Sequence, residues 1–236
     1  MLSIQTKKKM NYIKYLYYMY YRPKAFFPKK TYSMFGEDLV VKKFFKNKKK
    51  GFYVDVGCYH PIVGSNTLLL FKKGWNGVNI DLNKISIELF NQARKKDKNF
   101  QVAISNKNKK IKFYYRKKIN MLNTINKKFA KNHFKKGFSS GFIDSKTLDS
   151  ILNSTGLRNK KIDFLNLDIE GNEINALKSL NFKRYNPKLI CIEIHNNTSG
   201  RNDNNYYKSN SIYKFLTKKG YKHIWKNEFS FIFKKR

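Results

Sequence analysis

Four apolar runs in this chain each reach a carboxylate. GFYVDVG carries Asp55, WNGVNID ends in Asp81, KIDFLNLDIEG reaches Asp168 and Glu170, and PKLICIEIH reaches Glu193 and His195. Runs this apolar suit strands covered on both faces, as in a parallel sheet. A carboxylate at such a place is expensive unless a backbone donor or a ligand meets its charge. Helical patterns separate the runs: Ser65–Gly74 with Ser65 or Asn66 near its N-cap, Lys84–Asp97 with Ile85, Leu89 and Ala93 on one face, then KTLDSIL, NEINALKSL and SNSIYKFLTKKG. Phe100–Ser105 reads as a further strand and Lys110–Tyr115 as another strand or hairpin arm, while YKHIW and FSFIFKK read as a closing hairpin. Alternating strands and helices followed by a hairpin predict an α/β fold, a mostly parallel sheet with an antiparallel C-terminal edge.

A length of 236 residues fits one such domain. It is expected over residues 31–236, behind a basic, aromatic extension over 1–30. Residues 116–146 are polar and basic and read as an irregular substrate loop or lid. The net charge of +36 favours acidic partners through its field. The lysines, however, are scattered rather than gathered on one element, as a groove reader would have them, so no specific nucleic acid is expected. Cys58 and Cys191 lie far apart in apolar runs, which excludes a disulfide framework and predicts a reducing, cytoplasmic setting. No stretch approaches the ~18 apolar residues of a bilayer span. Residues 7–30 are basic and aromatic enough to be expected at the periphery of an anionic membrane.

In an open parallel sheet the ligand lies at the carboxyl ends of the strands. Asp55 and Gly57 stand at the first such end. Asp81 stands at the second, 26 positions on (81 − 55), where an acid accepts hydrogen bonds from ribose hydroxyls. Ser105 closes the third. The first loop lacks G-x-G-x-x-G, so the expected ligand is an adenosine without a pyrophosphate, and S-adenosylmethionine fits. Asp168, Glu170 and Glu173 crowd the fourth strand end and call for a proton, a cationic ligand or a cation such as Mg²⁺. No metal ligands are assigned. Taken alone, Glu173 reads as a solvated helix-start residue. His195 is the expected base, with Asp168 and Glu170 as rivals.

YVDVGCYHPIVGSNTLLLFKKGWNGVNID, IDFLNLDIEGNE and PKLICIEIH together resemble the FkbM-type S-adenosylmethionine-dependent methyltransferases, as do SMFGEDL upstream and KTLDSIL before the fourth strand. The resemblance runs from about Ser33 to His195. It implies a Rossmann-like class I fold: a seven-stranded sheet, helices on both faces, and methyl transfer, usually to a hydroxyl of a sugar, glycan or small metabolite. It implies cofactor contacts at Asp55, Gly57, Asp81 and Asp168, with Glu37, Ser65 and Asn66 bordering the methionine end. Met34 stands where the family usually has Gln, and Cys58 where Ala is frequent. Two other readings compete. A nucleic-acid methyltransferase is opposed by the absence of an Asn-Pro-Pro-Tyr-type stretch after the fourth strand; a non-catalytic basic module at a membrane or glycan assembly is opposed by the intact strand-end acids.

Overall fold

The computed structural model describes residues 11–20, 29–117, 119–157, 160–195 and 206–236. Its strands are β1 (Phe52–Val56), β2 (Asn76–Asp81), β3 (Lys98–Gln101), β4 (Ala103–Ile104), β5 (Lys109–Tyr115), β6 (Ser139–Lys146), β7 (Phe164–Leu167), β8 (Leu189–Glu193), β9 (Tyr221–Lys226) and β10 (Ser230–Lys235). The helices used below are α1 (Tyr12–Tyr20), α2 (Glu37–Phe44), α3 (Leu68–Lys72), α4 (Lys84–Ala93), α5 (Lys127–His133), α6 (Leu148–Ser154), α7 (Glu173–Lys178), α8 (Phe182–Tyr185), α9 (Tyr206–Ser209) and α10 (Ser211–Lys218).

Seven strands form one sheet in the order β3-β2-β1-β7-β8-β10-β9, parallel except at β10. The chain runs outward from β1 to β3 and returns to β7 beside β1. The strand order therefore reverses between β1 and β7, where such a sheet opens a crevice. Side chains alternate between the faces. Phe52, Val54, Val56, Leu165, Leu167, Ile190 and Ile192 pack with residues of α6, α7 and α10. Tyr53, Phe164, Leu189 and Cys191 pack with Val41 of α2, Leu70 of α3 and Trp75. Helices thus cover both faces, and each fully buried Leu, Ile or Phe contributes about 1.5–3 kcal/mol relative to exposure.

Three expectations are corrected. The helix expected over Ser65–Gly74 begins at Leu68, with Thr67 at its N-cap, because Ser65 and Asn66 are engaged elsewhere. The strand expected over Phe100–Ser105 divides at Val102: β3 pairs with β2, whereas β4 pairs with β6 in a second sheet of order β4-β6-β5. Residues 116–146 are not irregular. They hold α5 and β6, and β6 zips antiparallel to β5 over seven residue pairs. Tyr114, Ala130 and Phe134 form a small core beneath.

Of the expected surface-binding extension, α1 lies within the described residues and exposes Tyr12, Ile13, Leu16 and Tyr17 while burying Met19; positions 7–10 and 21–28 lie outside them. Among the described residues no helix is long and apolar enough to cross a membrane.

One buried cation fastens α4 to the sheet. Arg94, 1% exposed, donates to Thr67 Oγ1 (2.7 Å), the Pro61 carbonyl (2.7 Å), Ser65 Oγ (2.9 Å) and Tyr53 Oη (3.3 Å). Arg94→Ala leaves these acceptors without a donor, so urea unfolding should show a loss of about 3 kcal/mol. A loss below about 1 kcal/mol would mean the network contributes little.

Candidate active site

Asp55 lies inside β1, and its rung of the sheet is polar from β3 to β7. Asn99, Asn79, Asp55 and Asn166 stand side by side in register. Asp55 accepts from Thr67 Oγ1 (2.7 Å) and Asn166 Nδ2 (2.9 Å), and Asn66 Nδ2 continues the row onto Asn166 Oδ1 (2.9 Å). Burial raises the Asp55 pKa, and these donors oppose the shift. The charge at the end of the first run is therefore met by protein groups. Asp55 lines neither cavity described below.

Gly57 follows at the reversal point. Its N–H bonds the Ile80 carbonyl (2.8 Å), and its φ is +80°. A Cβ there would stand 1.6 Å from the Asp168 carbonyl oxygen, so only glycine lets the first strand end pass so close to the fourth. Beside it a narrow cleft is lined by Ile80, Asp81, Val102, Met121, Asn123 and Asp168, among others. Asp81 accepts from the backbone N–H of Tyr59 (2.8 Å) and Asn83 (2.7 Å), and burial pushes its pKa up to about 6. Asn123 adds a buried Oδ1 with no hydrogen-bond partner. Such a buried orphan is an acceptor awaiting a donor.

The turn after β7 is held rigidly. Glu173 is 3% exposed and accepts from the N–H groups of Ile169 (3.2 Å) and Gly171 (3.1 Å), which corrects the reading of a solvated helix-start acid. Thr124 Oγ1 donates to the Glu170 carbonyl (2.8 Å) and Asn126 Nδ2 to that of Gly171 (3.1 Å). Thus clamped, the turn projects Asp168 and Glu170 into a second cavity of about 440 Å³. Phe35, Phe129 and Phe229 give it aromatic walls; Glu37, Glu193, His133 and His195 also line it. His195 Nε2 lies 3.2 Å from Glu193 Oε2 and 3.7 Å from Glu170 Oε2. Burial, and then the charge of Glu193, raises the Asp168 and Glu170 carboxyls, while Glu193 raises His195.

The structure thus brings Gly57, Asp81 and Asp168 to the cleft, and Glu37, Asn66, Asp168, Glu170 and His195 to the larger cavity. Asp168 belongs to both. Glu37 is tied down by Ser230 Oγ (2.8 Å), Asn227 Nδ2 (3.0 Å) and the Phe35 N–H (2.9 Å). Ser65 is drawn into the Arg94 network instead. Ser105 lies past β4, its N–H on the Lys146 carbonyl, and lines neither cavity. Sequence reasoning missed Glu193 as a member of the site, although its place two residues before His195 on an alternating strand puts both on one face.

A family model described as the methyltransferase FkbM domain matches residues 55–223. No curated protein matches the chain. Among solved structures, a TehB-like SAM-dependent methyltransferase from Corynebacterium glutamicum aligns at 12% identity over 86% of this chain and 89% of that one, with a TM-score of 0.43. The family match takes in everything from the end of β1 to β9, and the chain belongs to the FkbM family of S-adenosylmethionine-dependent methyltransferases.

Proposed function

We propose that this protein transfers a methyl group from S-adenosylmethionine to a hydroxyl oxygen of a sugar, glycan or related polyol. One observation carries the acceptor class. In a chain with 51 Lys and Arg, neither type lines the 440 Å³ cavity among the described residues, whereas Glu37, Asp168, Glu170 and Glu193 do. Such a lining repels phosphate and accepts hydrogen bonds from hydroxyls. The aromatic walls offer faces for an uncharged ring. The same carboxylates speak against a nucleic-acid acceptor.

The cleft fits the adenosine half of the cofactor. Asp81 keeps free lone pairs for ribose hydroxyls, the apolar walls suit a base, and the orphaned Asn123 Oδ1 would take an amino-group hydrogen. With a free volume of about 30 Å³ the cleft admits little more than water. Entry of a nucleoside therefore requires the strip carrying Met121 and Asn123 to move outward, which gives residues 119–126 the role of a lid.

When bound, S-adenosylmethionine supplies a methyl carbon activated by a sulfonium; the acceptor oxygen bonds to it as the carbon–sulfur bond breaks, leaving S-adenosylhomocysteine. The chain's own task is to position and to take a proton. Asp168, at the junction of the cavities, with Glu170, Glu193 and His195 behind it, receives the hydroxyl proton. The raised Asp168 pKa makes it a stronger acceptor than an ordinary carboxylate.

Incubation with methyl-labelled S-adenosylmethionine and a panel of neutral glycans, phosphorylated sugars and nucleic acids tests this directly. Label should enter the neutral glycans; label confined to nucleic acid would overturn the acceptor class. Asn123→Ala should weaken S-adenosylhomocysteine binding about tenfold by calorimetry, the effect of one hydrogen bond at a buried site. Unchanged affinity would remove Asn123 from the base-binding role.

A further inference from the structure

We infer that Glu170, Glu193 and His195 form a binding site for one divalent first-row transition-metal ion at the floor of the acceptor cavity. Their donor atoms lie within 4.8 Å of one another. They come from two adjacent strand ends, the turn after β7 and the end of β8, so the parallel pairing of these strands fixes their approach.

Proximity of acids is common without a metal. Here the hydrogen bonding is the stronger argument. The Glu170 side chain is 8% exposed and lines the cavity, yet its carboxylate makes no hydrogen bond, its nearest cation being His195 at 3.7 Å. Glu193 Oε2 and His195 Nε2 are also buried; they meet as an ion pair 3.2 Å apart and have no other partner. Three polar side chains thus converge on one point, held by ion pairs among themselves alone, with Glu170 the least well met. Buried polar atoms are otherwise nearly always satisfied, so this convergence marks an absent partner.

The donor set selects the partner. Two carboxylate oxygens suit any hard divalent ion, but an imidazole nitrogen disfavours Mg²⁺ and Ca²⁺, which take oxygen ligands, and favours Mn²⁺, Fe²⁺ or Zn²⁺. Ligand bonds of about 2.0–2.3 Å require donor atoms roughly 3–4 Å apart, which small rotations of these side chains supply. The open side of the site faces the cavity, where an acceptor hydroxyl would complete the coordination and become more acidic. That role rests on the methyl-transfer reading; the binding itself does not. With three ligands on the ion, Asp168 is left as the free base.

The test uses the full-length chain, dialysed against a chelator and titrated calorimetrically with MnCl₂ and, separately, ZnCl₂, with circular dichroism and thermal melts as controls for folding. One ion per chain should bind and raise the melting temperature. Glu193→Gln and His195→Ala should weaken binding more than about tenfold, and Glu193→Gln should melt close to the parent without metal, because relief of repulsion with Asp168 and Glu170 offsets the lost ion pair with His195. Failure of folded parent protein to bind either ion would overturn the proposal. So would equal binding by both variants, which would put the ion elsewhere. A parallel titration with S-adenosylhomocysteine separates the two readings. Nucleoside binding without metal binding overturns this site alone, whereas metal binding without nucleoside binding overturns the assignment of the cleft.

Discussion

Asp81→Ala is expected to lower the affinity for S-adenosylhomocysteine by two to three orders of magnitude. The carboxylate is fixed by the N–H groups of Tyr59 and Asn83 and turned into the cleft. A pair of charge-assisted hydrogen bonds to ribose is lost, each worth about 1.5–3 kcal/mol. Because alanine also strips those two N–H groups of their acceptor, the melting temperature must be followed alongside. Asp81→Asn keeps one acceptor oxygen but turns an NH₂ toward the other backbone N–H, so it should lose less affinity and less stability than alanine without matching the parent. The pKa near 6 adds a signature. The nucleoside binds the ionised form, so parent affinity is flat above neutrality and falls as pH drops through about 6, by roughly tenfold per unit below it. In Asp81→Asn that dependence should vanish. If the slope persists, another group titrates in the cleft and the ribose role of Asp81 is wrong.

Gly57→Ala is expected to be the most destabilising single methyl in the chain, with a loss of more than about 4 kcal/mol. Part comes from forcing φ = +80° on a residue with a Cβ, which costs about 1–2 kcal/mol. The larger part is steric. The new methyl would stand 1.6 Å from the Asp168 carbonyl oxygen, an obstacle of backbone rather than of a flexible side chain. Relief requires β1 and β7 to part, although Asp168 N–H bonds the Val56 carbonyl (3.0 Å) and Gly57 N–H the Ile80 carbonyl (2.8 Å). Asp168 would move with its backbone, so any folded remnant should bind S-adenosylhomocysteine poorly. Urea unfolding reads the stability. A loss under 1 kcal/mol would show that the two strand ends are not locked together.

The sheet was legible because buried strands declare themselves as apolar runs, and the glycine and acids after them marked where a ligand would lie. Asp81, Asp168, Glu170 and His195 were found that way, and each lines one of the two cavities. The protein partners of Asp55 stayed hidden for a definite reason. Thr67 and Asn166 lie 12 and 111 residues away, and nothing in a linear run announces that three neighbouring strands place polar residues on one rung. The same limit hid Arg94, whose acceptors, Tyr53 and three residues of the 61–67 loop, lie 27 to 41 residues away. Residues 116–146 looked irregular because their polar strand and short lysine-rich helix cover a small local core, with little apolar periodicity to show. Glu173 was discounted since an acid at a helix start is ordinary, whereas here it holds the turn that presents Glu170.

The central claim is that one cleft holds the cofactor and opens, at Asp168, onto a carboxylate-lined acceptor cavity. A crystal structure of the complex with S-adenosylhomocysteine tests it most directly. Ribose hydroxyls are expected on Asp81, the base beside Asn123 with the 119–126 strip displaced outward, and the sulfur directed toward Asp168 and the Glu170–Glu193–His195 group. A nucleoside bound away from Asp81, or a sulfur directed away from the larger cavity, would contradict it.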